Sequence, residues 1–140
     1  MYLLDTNVIS ELRRPKPHGA VIAWLDTVPD SDLRISAVTL GEIQAGIELT
    51  REQDERKAAE IERWAVRVAA TYNVLDMDGE TFRIWARLMH RRSDTLYEDA
   101  MIAAVAIRHR LVVATRNAAD FSHFDVEVLN PFESGSGKRR

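Results

Sequence analysis

The amino-acid sequence predicts an α/β domain in which helices cover both faces of a mainly parallel sheet. Short apolar segments typical of strands alternate along the chain with segments whose apolar residues recur at helical spacing. No hairpin dipeptide joins two of the apolar segments, which favours strands connected through helices. The length of 140 residues fits one domain that buries roughly two thirds of its unfolded surface.

The chain begins with a short apolar strand at residues 2–4, followed by a helical turn or two over 7–12. Pro15 and Pro17 end this first helix, because proline lacks the amide hydrogen that a helix interior requires. A second helix is predicted over 21–28, where apolar side chains share one helical face.

The middle of the chain contains a second strand, LRISA at 33–37, and then a helix over 39–49. Either Ser36 or Thr39 is expected to cap that helix, because a hydroxyl oxygen accepts the free amide hydrogens of a first turn. A long amphipathic helix is predicted over 52–72, since its apolar side chains form one stripe and its charges lie elsewhere.

The last part of the chain contains a third strand at 73–77 and a helix with a basic outer face over 79–92. The segment DAMIAAVAI, residues 99–107, is apolar all round except at its start, which predicts a helix buried against the sheet. Two further strands are predicted at 111–115 and 126–129, both short and rich in β-branched residues.

Composition excludes several classes of protein. The chain has no cysteine, which excludes disulfides, thiolate metal sites and a cysteine nucleophile. A formal net charge of -3 argues against a generally basic nucleic-acid binder, although arginines cluster at positions 83, 87, 91 and 92. No apolar run approaches the ~20 residues that span a bilayer, and no secretory leader is visible. We therefore expect a cytoplasmic protein without a membrane segment.

Four acidic side chains occupy positions that are relevant to ligand binding in such a fold. Asp5 directly follows the first strand, and Asp120 follows the strand at 111–115. Ligands of α/β proteins bind beyond the carboxyl ends of parallel strands, so both acids are expected at the ligand-binding edge of the sheet. Taken singly, Asp5 also fits a helix cap and Asp120 fits a turn.

The other two acids, Glu42 and Asp99, lie near the starts of predicted helices. Glu42 heads a stripe of small or apolar residues at 45, 46 and 49, and Asp99 heads a similar stripe at 102, 103 and 106. Both stripes are expected to face inward. Singly, Glu42 also fits a partly solvated rim and Asp99 a first-turn acid favoured by the helix dipole.

Convergence of these acids would require compensation. Two carboxylates ~5 Å apart repel by roughly 3 kcal/mol at an effective dielectric constant of 20. Either some acids are protonated with raised pKa values, or a hard cation binds among them. Oxygen ligands without cysteine, and histidines without metal-ligand spacing, favour Mg²⁺ or Mn²⁺ over Zn²⁺.

The chemistry that such a site predicts is hydrolysis of a phosphodiester by a water molecule that attacks in line with the leaving oxygen. Asp5 and Asp99 are the predicted metal ligands, and Glu42 and Asp120 are expected to hold metal-bound water or a second ion. Four polar residues are expected to orient these ligands or to bind a phosphate oxygen, namely Thr6, Asn7, Thr115 and Asn117.

Four motifs in order carry a resemblance to a known family: LLDTNVISEL, TLGEIQAGI, DAMIAAVAIRHRLVVATRNAADF and NPF. Together they resemble PIN-domain ribonucleases, particularly VapC-type toxins of bacterial toxin–antitoxin pairs, in their FitB-like branch. The resemblance places the family's best-matched acids on Asp5, Glu42 and Asp99. It leaves the fourth acid open between the positions of Asn117 and Asp120.

The resemblance implies further properties. The fold would be a three-layer α/β/α sandwich, with a PIN-like nuclease domain at 1–132. The small, polar and basic residues that follow predict a flexible basic tail at 133–140. The resemblance also implies Mg²⁺ or Mn²⁺ as cofactor, RNA such as tRNA as substrate, homodimerisation, and neutralisation by a cognate VapB-type antitoxin. The arginines at 83, 87, 91 and 92 fit contact with an RNA backbone or with an acidic segment of the antitoxin.

Two other readings remain open from the sequence. One is a phosphatase or phosphotransfer domain with Asp5 as nucleophile. A haloacid-dehalogenase-type site needs an aspartate two residues later, where this chain has Asn7, and a receiver domain needs a lysine where Arg116 stands. The other is a catalytically inactive PIN-like module that binds RNA or a partner.

Overall fold

The computed structural model describes residues 1–133 and shows one parallel sheet. Its five strands run in the order β3-β2-β1-β4-β5, and every pair of neighbours is parallel. The strands are Tyr2–Leu4 (β1), Leu33–Ser36 (β2), Asn73–Leu75 (β3), Val112–Ala114 (β4) and Val128–Leu129 (β5). The five predicted strands are thus confirmed, with shorter ends in four of them.

Six α-helices connect the strands within the described residues. They are Thr6–Glu11 (α1), Gly19–Asp26 (α2), Ala37–Arg51 (α3), Glu55–Thr71 (α4), Gly79–Met89 (α5) and Tyr97–His109 (α6). Three short 3-10 helices, which the sequence did not predict, lie at Asp30–Asp32, Asp94–Leu96 and Ala118–Phe121. No helix in residues 1–133 is long and apolar enough to cross a membrane.

Helices cover both faces of the sheet, which confirms the three-layer α/β/α arrangement. Successive residues of a strand point to opposite faces, so Leu4 packs into one apolar core and Leu3 into the other. The first core contains Ile43 and Ile47 of α3 together with residues of α1, α2 and α4. The second contains the buried face of α6 and half-buried residues of α5 such as Trp85.

The boundary between α3 and α4 differs from the predicted start at residue 52. Asp54 caps α4 by accepting the backbone N–H of Lys57 at 3.0 Å, so residues 52–54 form the turn between the two helices. Arg51, at the end of α3, binds Glu62 of α4 at 3.0 Å and holds the two helices together. The cap of α3 is Ser36, which accepts the N–H of Val38 at 3.0 Å.

The order of the strands creates a switch point between β1 and β4. The chain adds β2 and β3 on one side of β1 and then returns to place β4 on the other side. Leu4 pairs with Ala114, so Asp5 and Thr115 emerge side by side at the carboxyl edge of the sheet. This is the position at which α/β sheets bind ligands. Of the predicted tail at 133–140, residues 134–140 lie outside the described part of the chain.

Candidate active site

Asp5 is the buried centre of the candidate site, with 7% of its surface exposed. It caps α1, because one carboxylate oxygen, Oδ1, accepts the backbone N–H of Thr6 at 2.8 Å. The other oxygen, Oδ2, accepts the hydroxyl of Thr115 at 2.9 Å and the side-chain amide of Asn7 at 3.3 Å. The sequence LLDTN therefore supplies a strand, a buried acid and two of the groups that fix that acid.

The segment after β4 completes the surroundings of Asp5. Thr115 is fully buried, and its Oγ1 accepts the amide of Asn7 at 3.3 Å and the backbone N–H of Asn117 at 3.0 Å. The backbone N–H of Arg116 donates to Oδ1 of Asn7 at 3.0 Å. Asn7 thus connects α1 to the loop after β4, and both segments hold the carboxylate of Asp5.

Glu42 reaches the same edge of the sheet from the second turn of α3. The hydroxyl of Thr6 donates to its Oε1 at 2.5 Å and lies 3.0 Å from the hydroxyl of Thr39. Thr39 is fully buried, so it contacts Thr6 from beneath the site. Thr6 therefore links the start of α1 to Glu42.

The predicted inward stripe below Glu42 is wrong. The buried face of α3 is formed by Ile43 and Ile47, because burying these large apolar side chains releases more free energy than burying small ones. Glu42 is half-buried at the border of this face. The exposed members of the predicted stripe are Ala45, Gly46 and Leu49, the last of them 67% exposed.

Asp99 lies half-buried in the first turn of α6, above a stripe that is buried as predicted. Burial, together with the charges of Asp5, Asp120 and Glu98, raises the pKa of Asp99 to about 6. Burial also raises the pKa of Glu42, together with the charges of Glu98, Asp5 and Asp99. These acids are therefore close enough to destabilise each other's ionised forms.

The pKa of Asp5 is raised as well, chiefly by burial. The hydrogen bonds from Thr115, Thr6 and Asn7 partly oppose this rise, because they favour the carboxylate. The charge of Asp120 adds to the rise. Asp5 is therefore a buried acid that is held in place by donors but lacks a basic partner among residues 1–133.

Asp120 and Asn117 both lie in the exposed segment that follows β4. Asp120 belongs to the 3-10 helix Ala118–Phe121, and its charge raises the pKa of both Asp5 and Asp99. Asn117 contacts the site through its backbone N–H, which donates to Thr115. Asp120 is therefore the residue of this segment whose charge acts on the carboxyl groups of Asp5 and Asp99.

These residues are chemically suited to a divalent cation. Carboxylates that raise each other's pKa, without a basic partner in the described chain, are relieved by a positive charge. No three His, Cys, Asp or Glu side chains in residues 1–133 stand close enough to form a complete metal cluster. Mg²⁺ nevertheless requires only one or two carboxylates, with waters and substrate phosphates as its other ligands. Asp5 and Asp99 are the predicted pair, and the charge of Asp5 raises the pKa of Asp99.

Two residues of the site were not predicted from the sequence. Glu98 lies next to Asp99 in the first turn of α6, and its charge raises the pKa of both Asp99 and Glu42. The adjacent acids at 98 and 99 were the available signal. The second residue is Thr39, whose hydroxyl contacts the hydroxyl of Thr6. The only signal for it in the sequence is that a hydroxyl residue stands near the start of α3.

The four arginines predicted to face outward on and after α5 are all exposed: Arg83, Arg87, Arg91 and Arg92. Arg83 pairs with Glu80 at 3.4 Å, and Arg92 donates to the backbone oxygen of Leu88 at 2.7 Å. The helix ends at Met89, earlier than predicted, and Arg91 has a left-handed backbone with φ of 62°.

A comparison with protein-family models matches residues 2–127 to the PIN domain. The toxin FitB of Neisseria gonorrhoeae is 36% identical over 138 residues, which cover 94% of this chain and 99% of the relative. The VapC ribonuclease Y4jK of Sinorhizobium fredii is 33% identical over 138 residues, which cover 95% of this chain and 99% of the relative.

Solved structures resemble this fold over nearly its whole length. The crystal structure of FitAcB from Neisseria gonorrhoeae superposes with a TM-score of 0.81 at 35% identity, covering 95% of this chain and 99% of that chain. A toxin–antitoxin complex from Klebsiella pneumoniae superposes with a TM-score of 0.66 at 25% identity, covering 95% and 99%. The arrangement of strands and helices described above is therefore shared with these proteins.

Proposed function

The chain belongs to the PIN-domain family, and on that basis we propose that it is a metal-dependent endoribonuclease that acts as the toxin of a type II toxin–antitoxin pair. The observation that carries the proposal is the buried Asp5 carboxylate. It is fixed by Thr6, Asn7 and Thr115 at the switch point of the sheet. The charge of Asp120 raises the pKa of this carboxyl, and the charges of Asp5 and Asp120 raise the pKa of Asp99.

In this proposal Asp5 and Asp99 hold Mg²⁺ or Mn²⁺. The bound ion would stabilise negative charge on the phosphate and on the leaving oxygen. Asn7 and Thr115 keep the carboxylate of Asp5 in one orientation through hydrogen bonds to Oδ2.

Glu42 and Asp120 orient the attacking water, and Thr6 fixes the carboxylate of Glu42 by its hydrogen bond. A carboxylate with a raised pKa is a better acceptor for the proton of that water. The water oxygen forms a bond to phosphorus, the bond from phosphorus to the leaving ribose oxygen breaks, and the leaving oxygen takes up a proton.

The proposed substrate is RNA, single-stranded or structured like tRNA. The name of the Sinorhizobium relative, a VapC ribonuclease, supports this choice. The exposed arginines at 83, 87, 91 and 92 supply positive charge for a phosphate backbone despite the acidic net charge of the chain.

The proposed partner is a small VapB-type antitoxin, and a homodimer is the proposed oligomer. The relative FitB is named a toxin, and one of the similar structures is a toxin–antitoxin complex. A cleft of about 220 Å³ lies beside Glu42. Polar residues such as Arg13 and apolar residues such as Ile61 and Trp64 line it, which suits a partner segment that carries both kinds of side chain. We propose residues 1–132 as the nuclease domain and the cytoplasm as its location.

A phosphotransfer reaction with Asp5 as nucleophile is less well supported. Both of its carboxylate oxygens already accept hydrogen bonds, Oδ1 from Thr6 and Oδ2 from Thr115 and Asn7. Oδ1 keeps one lone pair, which is available to a metal ion and to a phosphorus atom alike, so these contacts do not separate the two reactions. Phosphotransfer is disfavoured by the sequence, because such sites need an aspartate where this chain has Asn7 or a lysine where it has Arg116.

The test is cleavage of RNA by the purified chain with Mn²⁺, with and without EDTA. We expect cleavage that EDTA abolishes and that Asp5→Asn reduces by at least about 100-fold. Asp26→Asn, an exposed acid at the end of α2, is the matched control and should cleave like wild type. Metal-independent RNA binding without cleavage would support an inactive binding module. A trapped aspartyl-phosphate on Asp5 would support a phosphotransfer domain.

A further inference from the structure

Glu11, the last residue of α1, is a buried carboxylate outside the acids discussed above. Only 5% of its surface is exposed. Its Oε2 accepts the backbone N–H of His18 at 2.8 Å, and its Oε1 lies 3.5 Å from the guanidinium groups of both Arg14 and Arg116. A buried carboxylate is costly unless charge and hydrogen bonds compensate it, so these contacts are needed to keep it there.

Arg116 connects this buried carboxylate to the candidate site. It follows Thr115, and its backbone N–H donates to Oδ1 of Asn7 at 3.0 Å. Its guanidinium lies 4.0 Å from the centre of the Phe132 ring, within the range of a cation–π interaction. Its backbone oxygen accepts the side-chain amide of Asn130 at 3.3 Å. The closing motif NPF is therefore packed against the loop that carries Thr115.

We propose that Glu11, Arg116 and Phe132 form a latch that positions the metal-binding carboxylate of Asp5. The inference rests on the proposed function. Helix α1 is tied to the loop after β4 at both ends, by Asp5 and Thr115 at its start and by Glu11 and Arg116 at its end. Between these ties, Asn7 contacts both Asp5 and the loop. Its side-chain nitrogen donates to Asp5 and Thr115, and its Oδ1 accepts the backbone N–H of Arg116.

The latch acts on the site through geometry rather than contact with the reacting atoms. If Glu11 releases Arg116, the backbone N–H of Arg116 loses its fixed position opposite Asn7. Asn7 is then free to turn away from Oδ2 of Asp5. Residues that orient a metal ligand in this way alter metal affinity or activity by about 10-fold to 100-fold when they are changed.

Arg14 offers a matched control for Arg116. Both guanidinium groups lie 3.5 Å from the same Oε1 of Glu11. The side chain of Arg14 is 63% exposed, whereas that of Arg116 is 48% exposed and also packs on Phe132. Replacing Arg14 removes one of the two positive charges beside Glu11 but keeps every contact between α1 and the loop after β4.

The experiment uses the full chain and three variants, Glu11→Gln, Phe132→Leu and Arg14→Gln. The first readout is hydrogen exchange of the Arg116 amide by NMR, which does not depend on activity. The second is the Mn²⁺ concentration that gives half-maximal cleavage at saturating RNA. We expect Glu11→Gln and Phe132→Leu to accelerate exchange and to raise that concentration by about 10-fold or more, and Arg14→Gln to change neither.

The latch is refuted if Glu11→Gln and Phe132→Leu lower the melting temperature but leave the Mn²⁺ midpoint unchanged, because that result describes a purely structural ion pair. Unchanged exchange at Arg116 refutes it as well. If wild type does not cleave RNA, the proposed function fails, and Mn²⁺ binding by calorimetry replaces the cleavage midpoint. Phe132→Leu keeps the test decisive if Glu11→Gln does not fold.

Discussion

The hydroxyl of Thr115 lies 2.9 Å from the carboxylate of Asp5, although 110 positions separate the two residues in the chain. This hydrogen bond joins the carboxyl ends of β1 and β4, the two strands on either side of the switch point. Because this hydrogen bond is buried, the orientation of Asp5, the proposed metal ligand, depends directly on the pairing of β1 with β4.

Replacing Thr115 by valine should separate this hydrogen bond from packing. Valine keeps the shape of threonine but removes the donor to Asp5 and the acceptor for Asn7 and Asn117. We expect a loss of about 1–3 kcal/mol in the free energy of unfolding, because buried polar groups lose their partner. Urea unfolding measures it. Thr115→Ser keeps the hydroxyl and should lose less, so equal losses in both variants would contradict the role of the hydrogen bond.

Asp99→Asn should stabilise the metal-free protein at about pH 8. The pKa of Asp99 is about 6, above its ordinary value of 3.8, so ionising this acid costs more in the folded chain than in the unfolded one. The destabilisation is present above the folded pKa and disappears as pH falls below the unfolded value. We expect the melting temperature in EDTA to rise by about 2–4 °C.

The same variant carries its own control, because Asp99 is neutral in both states at about pH 3. The difference in melting temperature between Asp99→Asn and wild type should shrink toward zero there. A variant that melts below wild type at about pH 8 in EDTA would mean that Asp99 serves as a helix-start acid favoured by the dipole of α6.

Cleavage by wild type should rise with pH through about 6. The proposed metal ligand Asp99 must be ionised, and below its pKa each pH unit removes about 10-fold of the active form. The measurement is the cleavage rate at a fixed, subsaturating Mn²⁺ concentration. Raising Mn²⁺ should move the midpoint to lower pH, because the cation competes with the proton. A rate that is independent of pH between about 5 and 8 would exclude Asp99 as a ligand that titrates in this range.

Much of this site was predictable because local sequence determined it. Asp5 and Thr115 each follow an apolar strand directly, and parallel strands bring such positions to one edge. For the orientation of α3, the sequence contained two conflicting indications. The helical spacing of Leu40, Ile43 and Ile47 indicated the face that packs into the core, whereas the small residues near Glu42 suggested the wrong face.

Side-chain contacts away from the strand ends were beyond prediction from the sequence. Glu11 follows the periodicity of a short helix and gives no sign that its partner is Arg116 in the loop after β4. Likewise, a run of polar residues between two helices does not specify the 3-10 helix at Asp94–Leu96 that leads into α6. Both depend on how the layers pack after the sheet has formed.

The choice between Asp120 and Asn117 as the fourth polar group of the site can be made with paired substitutions. The charge of Asp120 raises the pKa of Asp99, so Asp120→Asn should lower that pKa and shift the cleavage midpoint to lower pH. It should also raise the Mn²⁺ concentration needed for half-maximal cleavage by about 10-fold, because one negative charge leaves the neighbourhood of the cation.

Asn117→Asp, made in the Asp120→Asn background, tests whether the charge or its position matters. Asn117 lies next to the loop residues that bind Asp5, since its backbone N–H donates to Thr115 at 3.0 Å. An aspartate there restores the net charge of the site. If it also restores the Mn²⁺ midpoint, the two positions are interchangeable sources of charge. If Asn117→Ala impairs cleavage more than Asp120→Asn, then Asn117 is the group that contacts substrate or cation, and the electrostatic role assigned to Asp120 is wrong.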